Sequence, residues 1–188
     1  QVNIGNRVYK SVVGNDGKWV LEVPDVLPDD KYLYFIEMFD AAGNKTQIDY
    51  DMFRIDSTPP AIESVQLDTD TGADGADGLT ATRTPTFSGK VEAGASEVTF
   101  TIGDVTYKSG EHFVLNSDGT WSFTVPVELE DREYTYEVVA KDQYGNETTE
   151  SYTVTIDATK PIFTDMAIQG GNNIDGTLVT STPQPELS

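Results

Sequence analysis

Apolar and polar positions alternate along most of this chain, and no segment sustains a helical period. In the middle of the sequence the alternation predicts strands near 61–67 (Ile62, Val65, Leu67), 84–91 (Phe87, Val91) and 96–102 (Val98, Phe100, Ile102). Further strands are predicted near 105–108, 112–115, 120–125 (Trp121, Phe123, Val125), 133–141 (Tyr134, Tyr136, Val138) and 150–156 (Tyr152, Val154, Ile156). Turn-forming residues separate them: Gly94, Ser109-Gly110, Asp118-Gly119, Glu130-Asp131 and Tyr144-Gly145-Asn146. About seven short strands within about a hundred residues predict an antiparallel sandwich of two sheets.

The pattern is written more than once. Ile55-Asp56-Ser57-Thr58-Pro59-Pro60 returns as Ile156-Asp157-Ala158-Thr159-Lys160-Pro161, and Asp16-Gly17-Lys18-Trp19 as Asp118-Gly119-Thr120-Trp121. Val23-Pro24 matches Val125-Pro126, Tyr32 and Tyr34 match Tyr134 and Tyr136, and Asp40 to Asn44 matches Asp142 to Asn146. A period of about a hundred residues with one plan per unit is the mark of a tandem array. Pro60 and Pro161 cannot donate to a sheet ladder and push the preceding residue toward extended geometry, so each hexamer ends one sheet and begins the next. The phase predicts the C-terminal part of one repeat in 1–57, a complete repeat in 58–157 and the N-terminal strands of a third in 158–188. The expected fold class is all-β: tandem immunoglobulin-like antiparallel β-sandwiches with Greek-key connections, about seven strands per complete unit. Trp19 and Trp121 are expected to fill the cores, since large aromatic residues dominate burial. Residues 1–57 lack the first two strands of their sandwich. A piece of a longer chain explains that better than strand donation between molecules, which adds a requirement.

Charge changes the picture. The formal net charge is −20, from 32 acidic and 12 basic residues, which argues against nucleic acid and against anionic membrane surfaces, both of which need a basic footprint. There are no cysteines, so disulfides, thiolate catalysis and cysteine zinc sites are excluded. No stretch approaches transmembrane length, and Gln1-Val2-Asn3 is no signal peptide.

The acids cluster, in register, within predicted loops. One cluster is the Asp-x-x-Gly-Asn loop, Asp40 with Asn44 and Asp142 with Asn146; the second is the linker aspartate, Asp56 and Asp157. The third is the run from Asp68 to Gly78, in which Asp70 and Asp77 are the preferred ligands and Asp74 serves equally well as a spacer. Any one cluster alone reads as a solvated turn, because Asp, Asn and Gly are ordinary turn residues. Recurrence at one phase, at ends that face a junction, favours Ca²⁺, which takes six to eight hard oxygen ligands at roughly 2.4 Å. The 68–78 run is no EF-hand, since its twelfth position is Leu79 rather than a bidentate glutamate. In 158–188 the corresponding loop is shorter and carries one acid, Asp175, which predicts a weaker or differently built site. Asp16 and Asp118 read as hairpin turns.

Asp118 to Pro126, Lys141 to Asn146, Ile156 to Pro161, and Asp70-Thr71-Gly72 with Thr84 to Gly89 together resemble the bacterial immunoglobulin-like (BIg) repeats of giant calcium-binding surface adhesins, of the large non-fimbrial and biofilm-associated kind. The likeness covers nearly the whole chain. It implies type I secretion, an extracellular place on the bacterial surface, a role in adhesion, biofilm or virulence, and a monomeric stalk stiffened by Ca²⁺ between neighbouring repeats. A distal domain would meet a host-cell or biofilm ligand. Carried over by position, the implied ligands are Asp40, Asp56, Asp70, Asp77, Asp142, Asp157 and Asp175.

Catalysis finds no support in these residues. His112 is the only histidine, it reads as an edge-strand residue, and no nucleophile elbow accompanies it. The alternative to a spacer is a ligand-binding Ig-like adhesin domain that grips a glycan or protein through its end loops. Of Phe, Tyr and Trp, the 72–82 and 108–118 loops hold only Phe113 and no tryptophan, which favours the spacer. A Lys–Asn isopeptide would need a buried lysine, whereas Lys90 and Lys108 are predicted on exposed faces.

Overall fold

The computed structural model describes residues 1–162, 172–174 and 177–179. Its first part is one four-stranded sheet. A hairpin of β1 (Val2–Ile4) and β2 (Arg7–Tyr9) pairs with β3 (Asp30–Phe39), which pairs with β4 (Lys45–Ile55), in the order β2-β1-β3-β4. Val2, Ile4 and Tyr9 are buried, with Tyr34, Ile36 and Phe53 packed against them.

The second part is a sandwich. One sheet holds β5 (Ile62–Leu67), β7 (Thr86–Val91), β10 (Val114–Leu115) and β11 (Thr120–Thr124) in the order β10-β11-β7-β5. The other holds β6 (Leu79–Thr80), β8 (Glu97–Ile102), β9 (Val105–Lys108), β12 (Arg132–Lys141) and β13 (Glu147–Ile156) in the order β6-β13-β12-β8-β9. The alternation read from the sequence becomes the core. Tyr134, Tyr136, Val138 and Ala140 of β12 face inward, and so do Val98, Phe100 and Ile102 of β8. They meet Phe87 and Val91 of β7 and Trp121 and Phe123 of β11. Phe100 is the hub, with ring centroids at 4.8 Å to Phe87, 5.3 Å to Tyr136, 5.4 Å to Phe123 and 6.3 Å to Trp121. Offset and tilted pairs at these spacings add to the gain from area burial alone. A short hairpin, β14 (Asn172–Ile174) with β15 (Thr177–Val179), completes the described strands.

Two close approaches hold the layers together. Trp121 pairs with Gly89 across the sheet, and a Cβ on Gly89 would lie 2.6 Å from the indole and 2.5 Å from the Ser64 carbonyl oxygen. At Gly119, φ is +86° and a Cβ would meet the Val91 carbonyl oxygen at 2.0 Å, so glycine is required on both counts.

The all-β antiparallel sandwich expected from the sequence is present, with one addition: β6, an element missed in the sequence, runs parallel to β13, with Leu79 beside Thr155. Two residues were too short to register as an alternation. Trp19 does not fill a core. It is 37% exposed, against 2% for Trp121, because residues 10–29 form turns and irregular chain rather than the strand that carries Trp121. Among the described residues, the first sheet has no facing sheet to pair with that segment.

Candidate functional site

The Asp-x-x-Gly-Asn loop is a self-contained hydrogen-bonded turn, built twice. Asp142 Oδ1 accepts from the backbone N–H of Tyr144 and Asn146 at 2.8 and 2.9 Å, and Oδ2 accepts from Asn146 Nδ2 at 2.8 Å. Asp40 accepts from Ala42 N, Asn44 N and Asn44 Nδ2 at 2.9, 2.8 and 2.6 Å. Donors aimed at a carboxylate favour its charged form. The Asn44 side chain and then its backbone hold Asp40 below the usual range. At Asp142 burial works against ionisation, but the donors from Asn146 prevail and its pKa is also lowered.

The second copy of this loop touches the linker. Asn146 Nδ2 also donates to the carbonyl oxygen of Asp56 at 3.1 Å, reaching from the sandwich to the chain that leaves the first sheet. On the other side Arg54 donates to Asp56 Oδ2 at 2.9 Å, and its guanidinium lies 5.3 Å from the Tyr144 ring centroid. Asp29, just before β3, accepts from Ser57 N and Oγ at 3.0 and 2.7 Å and from Thr58 Oγ1 at 2.5 Å. Farther along, Ala61 N donates to Glu92 Oε2 at 3.2 Å, while the Glu92 N–H donates to the Ala61 carbonyl at 2.8 Å. Between these groups runs a cleft of about 340 Å³ lined by Asp29, Arg54, Asp56, Glu92 and Asp142. Its walls therefore carry four carboxylates and one guanidinium.

The predicted ligands divide into separate places. Asp30 pairs with Ile55 and Phe39 with Lys45, so Asp40 and Asn44 lie at the far end of the first sheet from Asp56, about 30 Å away at the rise of a strand. Asp56 instead meets Asp142 and Asn146 of the following sandwich. The 68–78 loop does not reach Asp56 either. Thr155 N donates to Gly78 O, and Asp157 N donates to Thr80 O, so Asp70 and Asp77 belong to the opposite end of the sandwich, beside Asp157. The three clusters do not share one junction: strands of ten and eleven residues separate the loops they join. Asp70 Oδ2 accepts from Gly78 N at 2.9 Å, whereas its Oδ1 is buried without a hydrogen-bond donor. Asp77 accepts from Leu79 N, and Asp157 from Thr159 N. Asp175 lies outside the described residues. Among the described residues, no three acidic or histidine side chains come together as a ready metal cage.

Sequence reasoning missed Asp29 and Asp131. Asp131 repeats the grip of Asp29: it accepts from Ala158 N and Thr159 Oγ1, and also pairs with Arg83 at 2.6 Å. Hydrogen bonds from Ser57 to Asp29, and from Thr159 to Asp131, hold both carboxyls below the usual range. The signal was available, since Leu27-Pro28-Asp29 and Leu129-Glu130-Asp131 stand at the same phase as the other repeated acids. His112 lies in the turn after β9, its Nδ1 accepting from Lys108 N at 3.1 Å.

Residues 56–158 match the family model of the bacterial Ig-like domain, and residues 6–57 match a second model of the same description. Among solved structures, the chain is similar to a tetra-tandem repeat in the extending region of a large adhesion protein: 25% identity, 89% of this chain, TM-score 0.44. It is also similar to a Ca²⁺-stabilised adhesin that helps an Antarctic bacterium reach out and bind ice: 19% identity, 93% of this chain, TM-score 0.45. A third is a mixed-linkage glucan-utilisation protein of Bacteroides ovatus: 17% identity, 83% of this chain, TM-score 0.29. The chain spans 42%, 43% and 37% of those three chains. No curated protein matches it.

Proposed function

Because the chain belongs to the bacterial Ig-like domain family, we propose that it is a non-catalytic extender segment of a bacterial surface adhesin, acting through the distance and direction it imposes. The observation that carries this reading is the grip of Asn146 on the Asp56 carbonyl. A loop of one sandwich fixes the chain that leaves the sheet before it, as a load-bearing series of domains requires. On this reading 1–57 and 158–188 are parts of the repeats that flank 58–157, and the protein works outside the cell, exported by type I secretion, in adhesion or biofilm formation.

Calcium fits part of the residue set. The buried, donorless Oδ1 of Asp70 is a carboxylate oxygen of the kind a hard cation takes. Asp70 would anchor one ion at its end of the sandwich, with Asp77 and Asp157 drawn toward it, and Asp56 with Asp142, Asn146 and Asp29 would hold another at the linker; in both places the ion has to gather acids that stand apart without it. Bound there, the ion would supply positive charge that offsets the carboxylates and accept their oxygens as ligands. The chain's own part is to present these oxygens from loops fixed by long strands. At the linker Asp56 is already engaged by Arg54, and Asp142 by its own loop donors, so an ion there competes with existing partners. Small-angle scattering of the chain in calcium and in chelator tests the reading. A longer maximum dimension in calcium is expected, arising at the Asp157 end, where Thr155 takes the place of Arg54, and an unchanged one removes the stiffening role.

A further inference from the structure

The two linkers differ in one residue that bears on the junction. Arg54 stands before Ile55-Asp56, whereas the same place before Ile156-Asp157 is Thr155. The Arg54 side chain sits among three neighbours of different origin. Its own strand, β4, belongs to the first sheet; its hydrogen-bond acceptor, Asp56 Oδ2 at 2.9 Å, belongs to the linker; the ring beneath it, Tyr144 at 5.3 Å, belongs to the sandwich beyond. The Asp56 side chain is only 17% exposed, so an unpartnered charge there would be poorly hydrated. A guanidinium is always charged, offers a planar fork to a carboxylate and stacks on an aromatic face with its own plane. No other side chain type does both at once.

We propose that Arg54 is a resident cation of this junction, a latch that neutralises Asp56 and ties the linker to Tyr144 of the next repeat. The inference rests on the extender reading and deepens it. A divalent ion at this place would neutralise the same carboxylate, but it is lost on chelation, whereas the arginine is covalently part of the chain. The junction therefore keeps its direction when divalent ions are withdrawn. Arg54→Thr, which installs the residue of the second linker, turns it into an ion-dependent junction.

The test uses the whole chain. It contains no cysteine, so Leu33→Cys on the first sheet and Val105→Cys on the sandwich, both at exposed positions, give two unique spin labels. The distance distribution between them is measured by pulsed electron resonance in chelator and again in calcium. The latch predicts a narrow peak for the parent in chelator, loss of that peak in Arg54→Thr, and its return when calcium is added to the variant. Arg54→Lys keeps the charge but not the planar face, and gives a peak broader than the parent's. The proposal is overturned if Arg54→Thr stays as narrow as the parent in chelator, or if the parent is already broad there. Failure of calcium to narrow Arg54→Thr would overturn the claim that an ion can replace the arginine, and with it the ion-stiffening reading, while the chelator comparison alone decides whether Arg54 is the latch. Circular dichroism of each variant separates unlatching from unfolding.

Discussion

Two tryptophans written into the same motif end in different surroundings. Trp121 follows Asp118-Gly119, lies in β11, and is clamped between Gly89 and the rings of Phe100 and Phe113. Trp19 follows Asp16-Gly17, lies in irregular chain, and borders an open groove with Val12, Val13 and Ile36. The local sequence is nearly the same. What differs is the strand β7, which gives β11 its ladder and covers Trp121 from the side. Val12, Val20 and Val26 are 88%, 79% and 95% exposed, as apolar residues are where, among the described residues, no second sheet covers them. An alternating pattern thus states which side chains want burial, while burial itself needs a second sheet.

That comparison can be broken at its strongest point first. Trp121→Ala is expected to cost the sandwich about 3–5 kcal/mol, the range for deleting a large buried aromatic. Trp19→Ala is expected to cost no more than about 1 kcal/mol, as for a partly exposed residue outside a core. Urea unfolding of the chain reads both, and equal losses would end the distinction between the two sites. Gly89→Ala sharpens it. The added methyl has no room beside the indole and the Ser64 carbonyl, so a loss of about 1–3 kcal/mol is expected from overpacking. In the Trp121→Ala background part of that loss should vanish, because the methyl can occupy space the indole left. Additive losses would show that the contact is not the cause.

A third and smaller effect belongs to the first sheet alone. Glu37 is buried on β3 and accepts hydrogen bonds from Lys45, Gln1 and Asn3, where its counterpart in the second copy is Val139. Lys45, then Gln1, hold its pKa down, from 4.5 to about 2. A carboxyl depressed in the folded state contributes stability above its unfolded pKa and loses it as pH falls toward the folded one. Stability of the first sheet should therefore decline between about pH 4.5 and pH 2. A carbon NMR titration of the Glu37 carboxyl with a midpoint near 4.5 would exclude this.

Much of the sandwich was legible because its strands are half-buried, and half-burial writes itself as alternation. β8, β11 and β12 fall within a residue or two of the positions read from Val98, Trp121 and Tyr134. β6 was not legible, since two residues carry no period and its pairing with β13 depends on where the 68–78 loop turns back. The repeated acids were legible as residues, and their grouping in space was not. Repetition marked Asp56, Asp142 and Asp157 as special. It could not say that Asp142 belongs with Asp56 while Asp70 and Asp77 belong with Asp157. Asp29 and Arg54 were passed over because a lone acid before a strand and a lone arginine at its end are common, and only their partners give them a role.

The sequence by itself determined which residues seek each layer, the recurrence of its motifs and the acidic character of the loops, because these depend on residue type and on patterns read along the chain. Tertiary structure decided which loops share an end, which tryptophan finds cover and which cation faces Asp56. Those outcomes depend on strand length and on partners tens of residues away, and no local pattern encodes the direction in which a ten-residue strand carries its loop.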